Sequence, residues 1–149
     1  MILIEKVLLL KNSHIFENCS ETDLLEIAAV CGEAEEEKNV TIFSKGDEGN
    51  CMYFIYKGEV LIHDNNNRLA VLKENEIFGE LSLLDSETRS ASATTVTDCY
   101  LLKIDRESFY DILAANTEIL KGIMKTICSR LREQDKMNAE LIKLSETAV

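Results

Sequence analysis

A carboxylate and a guanidinium stand nine residues apart in the stretch IFGELSLLDSETRSASAT, which runs from Ile77 to Thr94. Glu80 can accept hydrogen bonds from sugar hydroxyls, and Arg89 can donate two parallel bonds to a phosphate. Gly79 leaves room for close approach to the backbone, and a helix that opens at Glu80 would present free amides to an anion. Four small residues follow the arginine: Ser90, Ala91, Ser92 and Ala93. The stretch predicts an anion-binding loop for a ligand with both hydroxyls and a phosphate.

Spacing alone also allows a second interpretation. Glu80 would then only complement the dipole of a short helix, and Arg89 would form a surface ion pair with Asp85 or Glu87.

Two motifs in this chain resemble those of cyclic nucleotide-binding domains, the family of bacterial catabolite activator proteins and protein kinase A regulatory subunits. The first is FGELSLL, four variable residues and then RSA, which is similar to that family's phosphate-binding cassette. The second is IFSKGDEGNCMYFIYKGEV at residues 42–60, which is similar to its glycine-punctuated hairpin. The likeness runs from about Leu10 to Leu131. Thr88 stands where the family often has proline.

The resemblance implies a fold and a ligand. The fold would be mainly β: an antiparallel β-roll of the double-stranded β-helix or jelly-roll type, with N-terminal helices and a long C-terminal helix. The ligand would be a cyclic nucleotide monophosphate. We expect the adenine form, cAMP, to be preferred over cGMP, because Ser90 is shorter than the threonine typical of guanine-selective members.

The resemblance also implies the role of each site residue. Glu80 would bind the ribose hydroxyl, and Arg89 and Ser90 would bind the phosphate. The short helix after Gly79 would hold the cyclic phosphate, and three backbone amides would complete the shell: those of Leu81, Ser82 and Ala91. Gln134 and Asp135 on the last helix would cover the base, although a solvated surface explains their polarity equally well.

Composition narrows the class of partner. Sixteen basic against 27 acidic residues give a net charge of −11, which argues against a nucleic-acid surface.

The five cysteines include no C-x-x-C pair, so we expect reduced core residues in a cytoplasmic protein. His14 and His63 stand apart from each other and from cysteines, which predicts no metal or cofactor. The same separation argues against a third function, an enzyme such as a metal-dependent oxygenase on a similar β-roll, which elemental analysis for bound metal would test. No signal peptide or membrane span is evident.

Changes of periodicity divide one expected domain, residues 1–149, into three segments. Residues 1–38 have the pattern of helices. The buried side of the first helix is predicted to hold Ile4, Val7, Leu8 and either Leu10 or Leu3. Ser20 and Asp23 have the spacing of a capping box at the start of the second. Short apolar runs separated by turn residues predict strands over 39–104, with the cassette at 78–91. Residues 105–149 return to a helical pattern. The acidic run at 33–37 is expected to be a solvated face or strand edge.

The last helix carries a heptad-like seam of four residues: Leu120, Met124, Ile127 and Leu131. The seam could pack against the chain's own barrel or pair two copies into a homodimer, and the sequence leaves both open.

Two functions remain from the sequence. The first is a non-enzymatic sensor in which cyclic nucleotide binding moves the C-terminal helix and signals to an unknown downstream protein or fused domain. The second is a degenerate family member that binds no nucleotide and serves as a protein-interaction module. Direct DNA binding is not expected, because only a few residues follow Leu144.

Overall fold

Within residues 1–148, which the computed structural model describes, eight strands form two four-stranded antiparallel sheets. The elements in chain order are α1 (Leu3–Asn12), a 3₁₀ turn (His14–Phe16), α2 (Glu21–Val30), β1 (Gly32–Glu36), β2 (Thr41–Phe43), β3 (Cys51–Lys57), β4 (Val60–Asp64), β5 (Asn67–Leu72), β6 (Ile77–Phe78), α3 (Glu80–Asp85), β7 (Ser92–Thr95), β8 (Cys99–Asp105), α4 (Arg106–Ala115) and α5 (Thr117–Thr147). One sheet has the order β1-β8-β3-β6 and the other β2-β7-β4-β5. The predicted β-roll with helices at both ends is confirmed.

The acidic run at 33–37 belongs to an edge strand. Glu33 pairs with Leu102 and Glu35 with Tyr100, so β1 adds to the free side of β8. The β-roll therefore begins at Gly32 and not at residue 39, where the change of periodicity predicted it. Carboxylates on an edge strand discourage pairing with another chain, which explains a strand without an apolar face.

Apolar side chains from the helices and from the first sheet form one core. The stacked rings of Phe16 and Phe54, with centroids 5.9 Å apart, lie at its centre, and Phe109 meets Phe16 edge-on. Ser20 accepts from the amide of Asp23 at 3.1 Å, so the predicted cap of α2 is confirmed.

In α1 the predicted burial is confirmed for Val7 and Leu10, whereas Leu3, Ile4 and Leu8 are exposed and Leu9 is buried in their place. The predicted buried side of this helix was therefore partly wrong.

The apolar seam of α5 faces away from the domain. Its four residues are between 38% and 61% exposed. The buried residues of α5 are Ile119, Gly122, Ile123 and Thr126 instead, and α5 packs with them against α4 and the segment that follows the 3₁₀ turn. The interpretation that the seam packs against the chain's own barrel was wrong. From Ile127 to Ala148 every described side chain of the C-terminal segment is exposed, so this part of α5 extends without a neighbour.

The cysteines are free thiols in unlike surroundings. Cys31 and Cys99 are buried and Cys19 and Cys51 half-buried, but Cys128 is exposed on α5, so the core prediction was wrong for Cys128. None of the helices in the described part of the chain combines the length and the apolar character needed to cross a membrane.

Candidate functional site

A cavity of about 250 Å³ opens between α3 and the second sheet. All seven residues that the sequence predicts for the phosphate and ribose line it: Gly79, Glu80, Leu81, Ser82, Arg89, Ser90 and Ala91. Apolar side chains complete the wall: Phe43, Ile62, Leu72, Ile77 and Phe78. The cavity thus joins a polar end to an apolar end, which suits a ligand with a charged group and a flat, uncharged one.

Gly79 sets the entry to α3. Its φ of +80° lies in the left-handed region, which glycine adopts without strain. A Cβ built there would lie 2.7 Å from Nη1 of Arg89 and 3.1 Å from the carbonyl oxygen of Cys51. Only glycine therefore allows the chain to turn into α3 with the arginine packed behind it.

Arg89 is buried, with 4% of its surface exposed. Nη1 donates to the carbonyl of Gly79 at 2.9 Å and Nη2 to the carbonyl of Cys51 at 2.7 Å, and the guanidinium lies 4.1 Å from the centroid of the Phe43 ring. Its Nε is buried without a hydrogen-bond partner. The alternative of a surface ion pair with Asp85 or Glu87 is therefore wrong for Arg89.

Burial acts on both charged groups of the site. Desolvation raises the pKa of Glu80, partly offset by a backbone hydrogen bond and by the charges of Arg130 and Arg89. Desolvation also lowers the pKa of Arg89. Each charged form therefore costs free energy in the empty cavity, which a ligand that pairs with these groups would offset.

Backbone hydrogen bonds hold the loop around Arg89. The amide of Arg89 donates to the carbonyl of Asp47 at 2.8 Å, and the amide of Gly46 donates to the carbonyl of Arg89 at 2.9 Å. Thr88 forms an isolated antiparallel bridge with Glu48. These contacts fix the loop without the proline that the family often has at position 88.

Several residues that support the site were not predicted for it. Phe43 stacks on Arg89, and a Cβ on Gly49 would lie 2.2 Å from Cβ of Ser82. Arg106 donates to carbonyl oxygens of Gly49 and Ser82, and Tyr110 to that of Leu83. The glycine-punctuated hairpin was a signal for Gly49 and Phe43, but no local pattern marks a side chain of α4 as a neighbour of α3.

Gln134 and Asp135 do not line the cavity. Both are exposed on α5, where Gln134 donates to Asn138. Arg130, one turn earlier, is the α5 residue whose charge acts on Glu80.

A larger groove of about 480 Å³ lies beside β1 and is lined by several carboxylates, those of Glu35, Glu36, Glu37 and Asp98. These would repel a phosphate, so the cavity at Arg89 is the better anion site although it is smaller.

The comparisons with known proteins agree with this geometry. The sequence model of the cyclic nucleotide-binding domain matches residues 35–116. The chain is 27% identical over 139 residues to a CRP-like cAMP-activated global transcriptional regulator of Mycobacterium tuberculosis, a match that covers 90% of this chain and 62% of the regulator.

Solved structures show the same architecture. The N-terminal domain of a transcriptional regulator from Streptomyces coelicolor superposes with a TM-score of 0.80 at 27% identity, covering 86% of this chain and 95% of that one. The regulatory domain of Toxoplasma gondii PKA with cAMP gives a TM-score of 0.69 at 28% identity, covering 74% and 44%.

The chain spans less than two thirds of the M. tuberculosis regulator. The family match covers 82 of the 149 residues, from the end of β1 to the end of α4. It contains every predicted residue of the phosphate and ribose site. The chain belongs to the cyclic nucleotide-binding domain family.

Proposed function

We propose that this domain is a cAMP sensor whose ligand binds between α3 and Arg89 and whose signal leaves through α5. The buried guanidinium of Arg89 carries the proposal. A guanidinium has five N–H groups, and in Arg89 hydrogen bonds to protein carbonyls use only two of them. The remaining N–H groups of the two terminal nitrogens would serve phosphate oxygens, while Nε lies buried against Gly49 without a partner.

The division of the cavity supports a nucleotide. Glu80 offers a carboxylate to ribose hydroxyls, while Ile62, Leu72 and Ile77 offer an apolar wall to a base. The M. tuberculosis regulator is cAMP-activated, and the T. gondii domain was solved with cAMP. We infer that cAMP is preferred over cGMP because Ser90 lacks the γ-methyl group that restricts the hydroxyl rotamer of a threonine.

The exposed apolar face of α5 supports a role for a second copy of the chain. Most helices in proteins gain their stability by packing an apolar face. The exposed seam of Leu120, Met124, Ile127 and Leu131 is such a face. Paired seams would form a short coiled coil.

The same helix would also close the site. The charge of Arg130 lowers the pKa of Glu80, and Gln134 and Asp135 lie about one turn after Arg130 on α5. A cavity of about 250 Å³ is smaller than most small-molecule sites, which run from roughly 300 to 1,000 Å³. Cover from Gln134 and Asp135 would complete it over the base.

Titration calorimetry of nucleotide-free protein tests this function. We expect cAMP to bind and cGMP to bind more weakly in competition, and Ser90→Thr to reduce the difference between them. A tenfold preference for cGMP would overturn the base assignment. No heat with either nucleotide would favour the second candidate, a protein-interaction module, for which the engagement of both Arg89 terminal nitrogens by carbonyls is the supporting observation.

A further inference from the structure

The charge of Arg89 is buried without a carboxylate beside it. Among residues 1–148, none of the ion pairs includes this arginine. Its side chain is 4% exposed, and its two hydrogen bonds go to the uncharged carbonyls of Gly79 and Cys51. A buried cation without a counter-ion is costly. Another group must therefore stabilise the charge while the cavity is empty.

An aromatic cluster of Phe43, Tyr53 and Phe78 lies at this position. The ring of Phe43, the last residue of β2, has its centroid 4.1 Å from Cζ of Arg89. Tyr53 and Phe78 stack on each other with centroids 5.0 Å apart, and their centroids lie 6.2 and 5.9 Å from that of Phe43. The negative face of an aromatic ring attracts a cation, and the attraction is stronger where water is excluded.

A ring and a carboxylate differ in what they leave to a ligand. A carboxylate would accept the parallel N–H bonds that a phosphate also needs, so it would compete with the phosphate. A ring face attracts the guanidinium as a whole and accepts no such pair. Each terminal nitrogen of Arg89 gives one N–H to a carbonyl, so each keeps a second one. The charge is thus stabilised while donors for an anion remain.

We propose that Phe43 is a positioning residue that takes the place of a counter-ion for Arg89 in the empty cavity, and that the ligand's phosphate takes over this role on binding. The inference rests on the proposed function, because the phosphate is that of the cyclic nucleotide. A guanidinium paired with phosphate presents less net charge to the ring. Phe43 should therefore stabilise the empty protein more than the liganded one, which sets a limit on affinity.

The first test needs no nucleotide. Trifluorinated phenylalanine at position 43 keeps the ring but weakens its negative face. Loss of the cation–π attraction should raise the unfolding equilibrium constant about fivefold to thirtyfold. The same replacement in Arg89→Met should raise it much less, because that variant has no charge over the ring. An equal rise in both backgrounds, or no rise in wild type, would overturn the proposal.

The second test repeats the unfolding at saturating cAMP, and it decides alone if Arg89→Met does not fold. Fluorination at position 43 should then raise the unfolding constant by less than about threefold. By linkage, calorimetry should show the fluorinated protein binding cAMP about twofold to tenfold more tightly. Phe16, whose ring lies against Phe54 and Phe109, is the matched control, and its fluorination should act equally with and without cAMP. The same independence of cAMP at position 43, or weaker binding, would contradict the counter-ion role.

The two proposals fail separately. If wild type binds cAMP and fluorination at position 43 behaves as it does at Phe16, the role of Phe43 is wrong and the nucleotide site stands. If wild type gives no heat with cAMP, the proposed function is wrong, and the transfer of the role to a phosphate falls with it. The first test still decides whether the ring stabilises the charge of Arg89.

Discussion

Gly49 lies directly against Ser82: a Cβ on the glycine would be 2.2 Å from Cβ of the serine and 2.9 Å from Nε of Arg89. The loop before β3 is therefore in contact with α3 and with the arginine of the site at once. Neither contact leaves room for a methyl group, and Ser82 has no long side chain that could swing away. The close contact between Gly49 and Ser82 therefore fixes the position of α3 beside Arg89.

Gly49→Ala should therefore disturb both stability and binding. Overpacking of this kind costs about 1–3 kcal/mol, and displacement of Ser82 and Arg89 should weaken cAMP binding by at least tenfold. Gly32→Ala is the control, because a Cβ there meets only Lys103 at an ordinary 3.6 Å. Thermal unfolding and calorimetry on both variants measure the two effects. Equal melting temperatures and equal cAMP affinities in the two variants would show that the loop accommodates the methyl group without loss of stability or binding.

Replacement of Arg89 should affect binding more than any other single change at the site. Arg89→Ala removes the charge that faces the phosphate, and we expect a loss of about 2–5 kcal/mol, or thirty-fold to several thousand-fold in Kd. It also leaves the carbonyls of Gly79 and Cys51 without their donor, which should lower the free energy of unfolding by about 1–3 kcal/mol.

Arg89→Lys separates charge from geometry. The lysine variant keeps the positive charge but loses the two parallel N–H donors of the guanidinium. We therefore expect it to bind cAMP better than Arg89→Ala and worse than wild type. Calorimetry on folded protein measures all three. Binding by Arg89→Ala within threefold of wild type would contradict the cassette assignment.

Replacement of Glu80 by glutamine should weaken ligand binding and at the same time stabilise the unliganded protein. Glu80→Gln replaces a charged acceptor by a neutral one of similar shape, and we expect cAMP affinity to fall by about 1–2 kcal/mol. Because burial raises the folded-state pKa of Glu80 above its unfolded value, stability falls as pH rises through the interval between the two values, and the carboxylate destabilises the empty protein at neutral pH. Unliganded Glu80→Gln should therefore melt at a higher temperature than wild type.

The pH dependence of binding gives a separate check on Glu80. If the carboxylate accepts from the ribose, cAMP affinity in wild type should fall as pH drops through the raised pKa of Glu80, whereas Glu80→Gln should respond much less. Parallel pH profiles of the two proteins would rule out a role for the carboxylate. A larger loss of affinity in Glu80→Gln than in Arg89→Ala would contradict the division of roles between them.

Residue patterns over short stretches of the sequence predicted those features of the fold and the site that depend on neighbouring residues. The cap at Ser20, the strand pattern after residue 39 and the clustering of Glu80 and Arg89 all follow from residues close in sequence. For the acidic run at 33–37 the sequence left a solvated face and a strand edge both open. It could not choose the edge strand, because the pairing of β1 with β8 joins residues about 70 positions apart and the carboxylates lack the apolar alternation of a strand. The roles of Arg106 and Tyr110 were not predicted for the same reason. Their partners are backbone carbonyls of another element, and because every residue has a backbone carbonyl, residue types do not indicate such a contact.

The exposed seam of α5 predicts a homodimer, and we expect a single substitution to dissociate it without lowering the stability of the domain. Leu131 is 61% exposed in the single chain, so Leu131→Lys should leave thermal unfolding of a monomer nearly unchanged while placing two like charges in a coiled-coil seam. Sedimentation should show a dimer for wild type and a monomer for the variant. Lys125→Ala, on the same helix but outside the seam, is the control for a general effect of substitution on α5.

The same helix segment allows the lid to be tested separately from the dimer. Deletion of residues 133–149 removes Gln134 and Asp135 but keeps the four seam residues, and we expect cAMP binding to weaken by more than tenfold. In the full chain, cAMP should slow amide exchange of residues 132–144, because a ligand shifts a conformational equilibrium only through contacts that differ between the states. Leu131→Lys should keep this protection if each chain covers its own site and lose it if the partner's helix provides the cover. Identical exchange with and without cAMP in wild type would exclude the lid mechanism altogether.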